Sequence, residues 1–140
     1  MYKYILIAFI LLFCSCKDNK TTNELLVKAR KEYNSNNYER AILLYNNIIQ
    51  KDSSIGEAYY SRAYCETQVL EIEKSISDYN KSIQLKYRVG DSYFSIGLIY
   101  RGLFKDSIAC KYFVLAYKSN PNDTIALKLI KSMNCYNGNF

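Results

Sequence analysis

The sequence predicts an all-α protein built from three consecutive pairs of helices. A small residue followed four positions later by an aromatic residue recurs every 34 residues, as Ala41 and Tyr45, Ser75 and Tyr79, and Ala109 and Phe113. Between these landmarks the apolar residues follow the helical spacing of three and four. Proline occurs once in 140 residues, which favours helices with polar connections over a β-sandwich. A fixed period of about 34 residues is typical of stacked helical repeats.

The first pair is predicted between residues 24 and 52. Apolar and small residues share one face over residues 24–33, and a second stripe with helical period runs over residues 38–49. The polar cluster at 34–37 predicts the turn between the two helices, and the cluster at 52–54 predicts the end of the second.

The second and third pairs follow the same plan with different turns. The second turn, Val69-Leu70-Glu71, contains no glycine, so its backbone must bend without the freedom that glycine provides. Asp106 is expected to begin the last helix of the third pair and to accept hydrogen bonds from its first turn. Pro121 ends that helix, and residues 122–124 are expected to cap one further helix.

The third pair carries the most specific set of landmarks. In order they are Tyr93, Ile96, Gly97, Tyr100, Ala109, Phe113 and Pro121. Their spacing resembles that of the tetratricopeptide repeat (TPR), a helix-turn-helix unit. The resemblance implies an all-α TPR solenoid over residues 24–140, with repeats at about 22–55, 56–89 and 90–123. It also implies a capping helix at about 124–135, because a terminal repeat needs a more polar outer face.

The resemblance further implies a binding groove lined by the first helix of each repeat. Projected with the 34-residue period, the groove rows are Leu26, Tyr60 and Phe94, then Arg30, Tyr64 and Leu98, then Tyr33, Thr67 and Arg101. Aromatic and arginine side chains are frequent in the energetically dominant parts of interfaces. The alternative is that these aromatic residues pack only against neighbouring helices. The lysine and asparagine residues that clamp carboxylates in chaperone-binding TPR domains are not reproduced here.

The first sixteen residues predict an export signal. Lys3 precedes an unbroken apolar run of ten residues, 4–13, which is too short to cross a bilayer as a helix. The following Ser15-Cys16 resembles the lipobox of a bacterial lipoprotein, which implies a signal peptide at 1–15 and a mature N-terminus at lipidated Cys16. Cys14 fits less well, because cleavage there would place bulky Phe13 in the small-residue slot. An ordinary secretory signal or an uncleaved anchor is the alternative.

Residues 16–23 are predicted to tether the lipid to the fold. Their polar composition shows no apolar period. Cys16-Lys17-Asp18 is similar to the surface-export signal of Bacteroidetes lipoproteins, which implies a lipid-anchored protein of the cell envelope, with the outer membrane favoured. Whether it faces the periplasm or the outside stays open. Two or more acyl chains give stable anchoring, whereas one gives only marginal binding.

Composition argues against catalysis, metal binding and nucleic-acid binding. The chain contains no histidine, which removes the commonest general base and metal ligand. Its net charge of +6 comes from scattered lysine and arginine residues, whereas nucleic-acid binding needs them clustered. Glu71, Glu73 and Asp78 are expected to be solvated helix residues. We therefore expect no enzyme activity, cofactor, metal or small-molecule substrate.

Three cysteines fall within the predicted repeats and cap. Cys65, Cys110 and Cys135 have no metal-ligand spacing, and each is expected to be a small buried apolar side chain. The alternative is a disulfide between two of them, which would leave the third unpaired. Taken together, the sequence predicts a non-catalytic module that binds a protein or peptide partner at a membrane. The second hypothesis is a structural subunit of an envelope assembly that uses its outer face or capping helix.

Overall fold

The computed structural model describes residues 21–135, and these residues form seven helices. The helices are α1 (Thr22–Asn34), α2 (Tyr38–Lys51), α3 (Gly56–Gln68), α4 (Ile72–Gln84), α5 (Val89–Gly102), α6 (Asp106–Ser119) and α7 (Thr124–Ser132). The predicted signal peptide, the predicted lipidation site Cys16 and most of the predicted tether lie outside the described residues. Among the described helices, none combines the length and hydrophobicity that crossing a membrane requires.

Each helix packs mainly against its neighbours in the chain, so the three pairs stack in order and α7 covers the last one. The landmark residues account for this packing. Ala41, Ser75 and Ala109 are completely buried, and their small size lets the two helices of a pair approach closely. Tyr45, Tyr79 and Phe113 are at most 2% exposed, and each is a large side chain in the core of its own repeat. The fold is therefore the predicted all-α TPR solenoid with a capping helix.

One close contact explains the glycine in the middle of α5. A Cβ atom added to Gly97 would lie 2.7 Å from the ring of Phe113, closer than carbon atoms can approach. Gly97 therefore allows α5 to lie directly against the phenylalanine of α6. The same ring also contacts Phe94 at a centroid distance of 5.6 Å.

The helix ends agree with the sequence at α7 and differ from it at α1 and α6. The Asp123 side chain accepts hydrogen bonds from the first turn of α7, as predicted. Helix α1 begins at Thr22, within the predicted tether, because Thr21 and Glu24 form a reciprocal capping box. Asp106 is the first residue of α6 but does not cap it, since Lys105 occupies the cap position and its side chain makes no capping hydrogen bond.

The turn inside each pair uses the same left-handed backbone conformation. Asn36, Leu70 and Phe104 stand at equivalent positions, with φ angles of 58°, 64° and 58°. Gly102, near the third turn, does not have a positive φ. The second turn thus forms without glycine, as expected, and the third does so as well.

The prediction that all three cysteines are free was wrong for two of them. Cys110 in α6 and Cys135 after α7 form a disulfide, which ties the capping helix to the third repeat. The two residues meet because α7 runs back along α6 and ends beside its first turns. Cys65 is free and completely buried, as the sequence predicted. Burial raises the pKa of its thiol to about 12.

Candidate binding site on the face of the first helices

The predicted groove residues lie on one surface formed by α1, α3 and α5, which we call the first-helix face. Its first row is half-buried and serves the core as well as the surface. Leu26 packs against the core of the first repeat, and Phe94 packs on Phe113. Tyr60 contacts Tyr79 at 5.6 Å, and the guanidinium of Arg88 lies 4.9 Å from the centre of the Tyr60 ring.

The two groove arginines have different surroundings. Arg30 of α1 donates two hydrogen bonds to the carboxylate of Glu57 in α3, at 2.5 and 2.6 Å. This contact raises the pKa of Arg30 and joins the first repeat to the second. Arg30 is therefore already engaged within the chain, whereas Arg101 is an exposed residue at the end of α5.

Three tyrosine rings fill the first-helix face where the first repeat meets the second. Tyr64 of α3 lies between Tyr33 of α1 and Tyr38 of α2, at ring-centroid distances of 5.1 and 6.1 Å. Burial raises the pKa of Tyr33 to about 12, as expected for a hydroxyl group held against other rings. We call this contact region the first junction.

The equivalent region between the second and third repeats, the second junction, is open. One period of 34 residues after Tyr33, Tyr38 and Tyr64, the chain has Thr67, Ile72 and Leu98. These side chains are smaller than tyrosine, and a cleft of about 450 Å³ occupies the space between α3 and α5. The cleft therefore exists because three aromatic rings of one junction are missing from the next.

The cleft is lined by eleven residues from two repeats, none of which carries a charged side chain. They are Tyr64, Thr67, Gln68, Leu70, Ile72, Tyr79, Ser95, Leu98, Ile99, Gly102 and Leu103. A Cβ atom added to Gly102 would meet nothing within 4 Å, so this glycine forms an open part of the wall. A site of this composition attracts apolar groups through the hydrophobic effect.

The structure thus brings together Tyr64, Thr67 and Leu98 from the predicted groove and leaves the other six outside the cleft. The projection along the first helices missed the other eight lining residues. Four of them, Leu70, Ile72, Tyr79 and Leu103, come from the turns and from α4, and the other four, Gln68, Ser95, Ile99 and Gly102, lie on α3 and α5. Comparing residue sizes between equivalent positions of successive repeats is the signal that would have found the opening.

A second pocket, of about 510 Å³, lies among α2, α3 and α4 and is polar. Arg62 of α3 donates to both carboxylate oxygens of Asp78, at 2.5 and 2.8 Å, and to the side-chain oxygen of Asn46 at 2.6 Å. Asp78 is 7% exposed, so the expectation that it is a solvated surface residue was wrong. Its partner Arg62 lies sixteen residues earlier and accounts for its burial.

Glu66 is the least satisfied group of this polar pocket. Its carboxyl oxygen Oε1 lies 3.7 Å from Arg62, and among the described residues no hydrogen-bond donor reaches its buried Oε2. Burial raises the pKa of Glu66 to about 7, and the negative charge of Asp78 adds to the increase. The pocket offers no group of three or more metal-ligating side chains within residues 21–135.

Solved structures with this fold agree with the repeat assignment. The first TPR domain of Spaghetti (RPAP3), bound to the HSP90 peptide SRMEEVD, has 20% identity and a TM-score of 0.72, covering 81% of this chain and 90% of that one. The Yersinia enterocolitica secretion chaperone SycD, in complex with a peptide of the translocator YopD, has 14% identity and a TM-score of 0.75, covering 83% and 94%. MamA has 20% identity and a TM-score of 0.76, covering 94% and 72%.

At these levels of identity the likeness establishes the fold. No protein-family model matches the sequence, and the comparison with curated proteins finds no significant match. The chain is accordingly a TPR-fold protein whose first-helix face carries an apolar cleft at the second junction.

Proposed function

We propose that the protein is a lipid-anchored, non-catalytic binding module of the bacterial cell envelope. Its site would be the cleft of the second junction, and its ligand a protein or peptide segment with apolar side chains. The observation that carries this proposal is the opening itself, in which Thr67, Ile72 and Leu98 replace the three tyrosines of the first junction.

The cleft has the size and chemistry of a binding site. Its volume of about 450 Å³ is within the range of roughly 300 to 1,000 Å³ that is usual for ligand pockets. Its lining contains hydroxyl and amide groups but no charged acid or base. General acid–base chemistry most often uses histidine, aspartate, glutamate or lysine, whereas the titratable groups of this lining are the hydroxyls of Tyr64 and Tyr79, so the lining favours binding over catalysis. SycD and the Spaghetti domain, which share the fold, are each described with a bound peptide.

Two observations favour the envelope. The first is the likeness of residues 1–16 to a lipoprotein signal ending at Cys16. The second is the Cys110–Cys135 disulfide, because such bonds persist mainly in oxidising compartments such as the periplasm. Mass spectrometry of the envelope form is expected to find acyl chains on an N-terminal Cys16. A Cys16→Ser variant that is processed and membrane-bound like the wild type would contradict this assignment.

Peptide binding can be tested without a known partner. The full chain, held in lipid nanodiscs, is used to select a random dodecapeptide library displayed on phage, with empty nanodiscs as the counter-selection. Enrichment of peptides rich in leucine, isoleucine, phenylalanine or methionine is expected. Enrichment of acidic peptides would be consistent with peptide binding but would contradict the apolar cleft as the site. No enrichment at all would contradict the proposed function.

One pair of variants locates the site. Gly102→Leu places an isobutyl group in the open part of the cleft, and Gly102→Ala adds only a methyl group at the same position. The selected peptides should bind the leucine variant at least tenfold more weakly than the alanine variant. Equal peptide binding by the two variants, when both have the melting temperature of the wild type, would show that the peptides bind outside the cleft.

The second candidate function, a structural subunit of an envelope assembly, rests on the polar pocket of α2, α3 and α4. Its Glu66 oxygen has no donor among the described residues and would be satisfied by one from a neighbouring subunit. If another envelope protein copurifies with this chain, and is lost when Glu66 is substituted but kept when Gly102 is substituted, this function is favoured over peptide binding.

A further inference from the structure

Two of the three turns inside the repeats expose a large apolar side chain. Leu70 is 81% exposed and Phe104 is 93% exposed, and both residues have the left-handed backbone conformation. Asn36 occupies the same position in the first repeat. We call Leu70 and Phe104 the turn tips.

The turn tips are unfavourable for the isolated fold in two ways. A left-handed conformation costs an L-residue with a bulky side chain free energy that glycine and asparagine largely avoid. An exposed aromatic or leucine side chain also gains nothing from the hydrophobic effect. The chain uses asparagine at position 36, so the turn itself accepts a better residue. Strained residues of this kind are found preferentially where they serve binding.

The turn tips are continuous with the cleft of the second junction. Leu70 is one of its lining residues, and Phe104 directly follows Leu103, which is another. The tips therefore extend the apolar lining into one surface at the end of the second and third repeats.

The position of the tips favours a protein occupant over the membrane. The tips follow the C-terminal ends of α3 and α5. The tether, in contrast, joins the N-terminal end of α1, which belongs to the opposite end of the first helices. Helix α1 has 13 residues and is therefore about 20 Å long. A tether of about five residues between Cys16 and α1 spans at most roughly 17 Å. With the chain anchored at Cys16, the tips lie at the end of the helices that is farther from the anchor point.

We propose that Leu70 and Phe104 bind two apolar side chains of the same peptide segment that fills the cleft. This deepens the proposed function and rests on it. A helical segment presents apolar side chains on one face at residues i, i+3, i+4 and i+7, and an extended segment presents them on one face at i, i+2 and i+4. The uncharged lining of the cleft and the two apolar tips together define an uncharged, apolar partner surface.

The test exploits the opposite signs expected for stability and binding. Leu70→Asn and Phe104→Asn restore the residue found at position 36, so each should raise the melting temperature by about 2 to 5 °C. The same variants should bind the peptides selected from the phage library at least fivefold more weakly. Asn36→Leu is the matched control, with a lower melting temperature and unchanged peptide binding. A residue with a purely structural role would not weaken binding while it stabilised the fold.

Each alternative has its own result. Unchanged peptide binding by both asparagine variants, with binding still blocked by Gly102→Leu, would overturn the role of the tips and leave the proposed function standing. A fluorescent label on Phe104→Cys that is quenched by spin-labelled lipid in nanodiscs without peptide would place the tip in the membrane and overturn the proposal. Cross-linking of two copies that depends on Phe104 would assign the surface to self-association and also overturn it.

Discussion

The two junctions of the first-helix face are built from equivalent positions and have opposite properties. In the first, Tyr64 is packed between Tyr33 and Tyr38, and the face is closed by aromatic rings. In the second, Leu98 and the smaller residues around it leave about 450 Å³ open. The backbone plan is the same at both junctions, so side-chain volume decides where a ligand can enter the repeats.

The opposite side of the repeats shows the reverse arrangement. In the second repeat, Arg62, Glu66 and Asp78 form a polar network with one unsatisfied oxygen among the described residues. One period later the chain has Ile96, Tyr100 and Tyr112, and the two tyrosine rings stack at 5.5 Å. The third repeat thus packs with aromatic side chains where the second uses ions, and it opens the apolar cleft on the other face.

The largest expected difference between the junctions is the loss of stability when the side chain at equivalent positions 64 and 98 is truncated to alanine. Tyr64→Ala removes a side chain that contacts two other rings, and we expect it to lower the free energy of unfolding by about 2 to 3 kcal/mol. Leu98→Ala, at the equivalent position, removes a side chain that is 43% exposed beside an existing opening, and should cost about 1 kcal/mol. Urea unfolding of both variants measures the difference. Equal losses would mean that the first junction is no better packed than the second.

The next effect concerns the polar network. The folded-state pKa of Glu66 is raised from 4.5 to about 7, so the folded protein binds a proton more tightly than the unfolded chain does. The stability that this provides is complete below pH 4.5 and is lost as the pH rises to about 7. Glu66→Gln removes this dependence and should gain about 2 kcal/mol relative to the wild type between pH 5 and pH 8.

The free energy of unfolding is measured at pH 5 and pH 8 for both proteins, and the change in the variant is subtracted from the change in the wild type. The contributions of the other titrating groups then largely cancel. Glu73→Gln removes an exposed carboxylate that lines the same pocket and is the matched control for the loss of one negative charge. A wild type and a Glu66→Gln variant with parallel pH profiles would show that Glu66 has an ordinary pKa in the folded protein.

The smallest effect separates two glycines of α5. Gly97→Ala brings a methyl group within 2.7 Å of the Phe113 ring, and the strain should cost about 1 to 2 kcal/mol. Gly102→Ala meets open space and should be neutral or stabilise by up to about 1 kcal/mol, because alanine is the better helix former. Thermal unfolding resolves the opposite signs. A destabilising Gly102→Ala would mean that the cleft is more tightly closed than the structure describes.

The architecture could be predicted from the sequence because the features that determine it are local and repeat. The pairs Ala41 and Tyr45, Ser75 and Tyr79, and Ala109 and Phe113 have helical spacing within one helix and recur with a fixed period. The disulfide could not be predicted, because Cys110 and Cys135 meet only when the path of the capping helix is known. The same reason applies to Asp78, whose burial depends on Arg62 from another helix.

The candidate site was predicted only in part. Tyr64, Thr67 and Leu98 share the first-helix face and could be placed there by period alone. The cleft itself is a difference in side-chain volume. Four of its lining residues come from turns or from α4, which a projection along the first helices does not sample. Lipidation at Cys16 stays a prediction, since that residue lies outside the described part of the chain.

The most direct test converts the second junction into the first. Thr67→Tyr combined with Leu98→Tyr places at the second junction two of the residues that close the first, Tyr33 and Tyr64. Calorimetric titration with a peptide selected on the wild type should show at least tenfold weaker binding, with a melting temperature equal to or above that of the wild type. Undiminished binding by this folded variant would contradict the claim that the open second junction is the binding site.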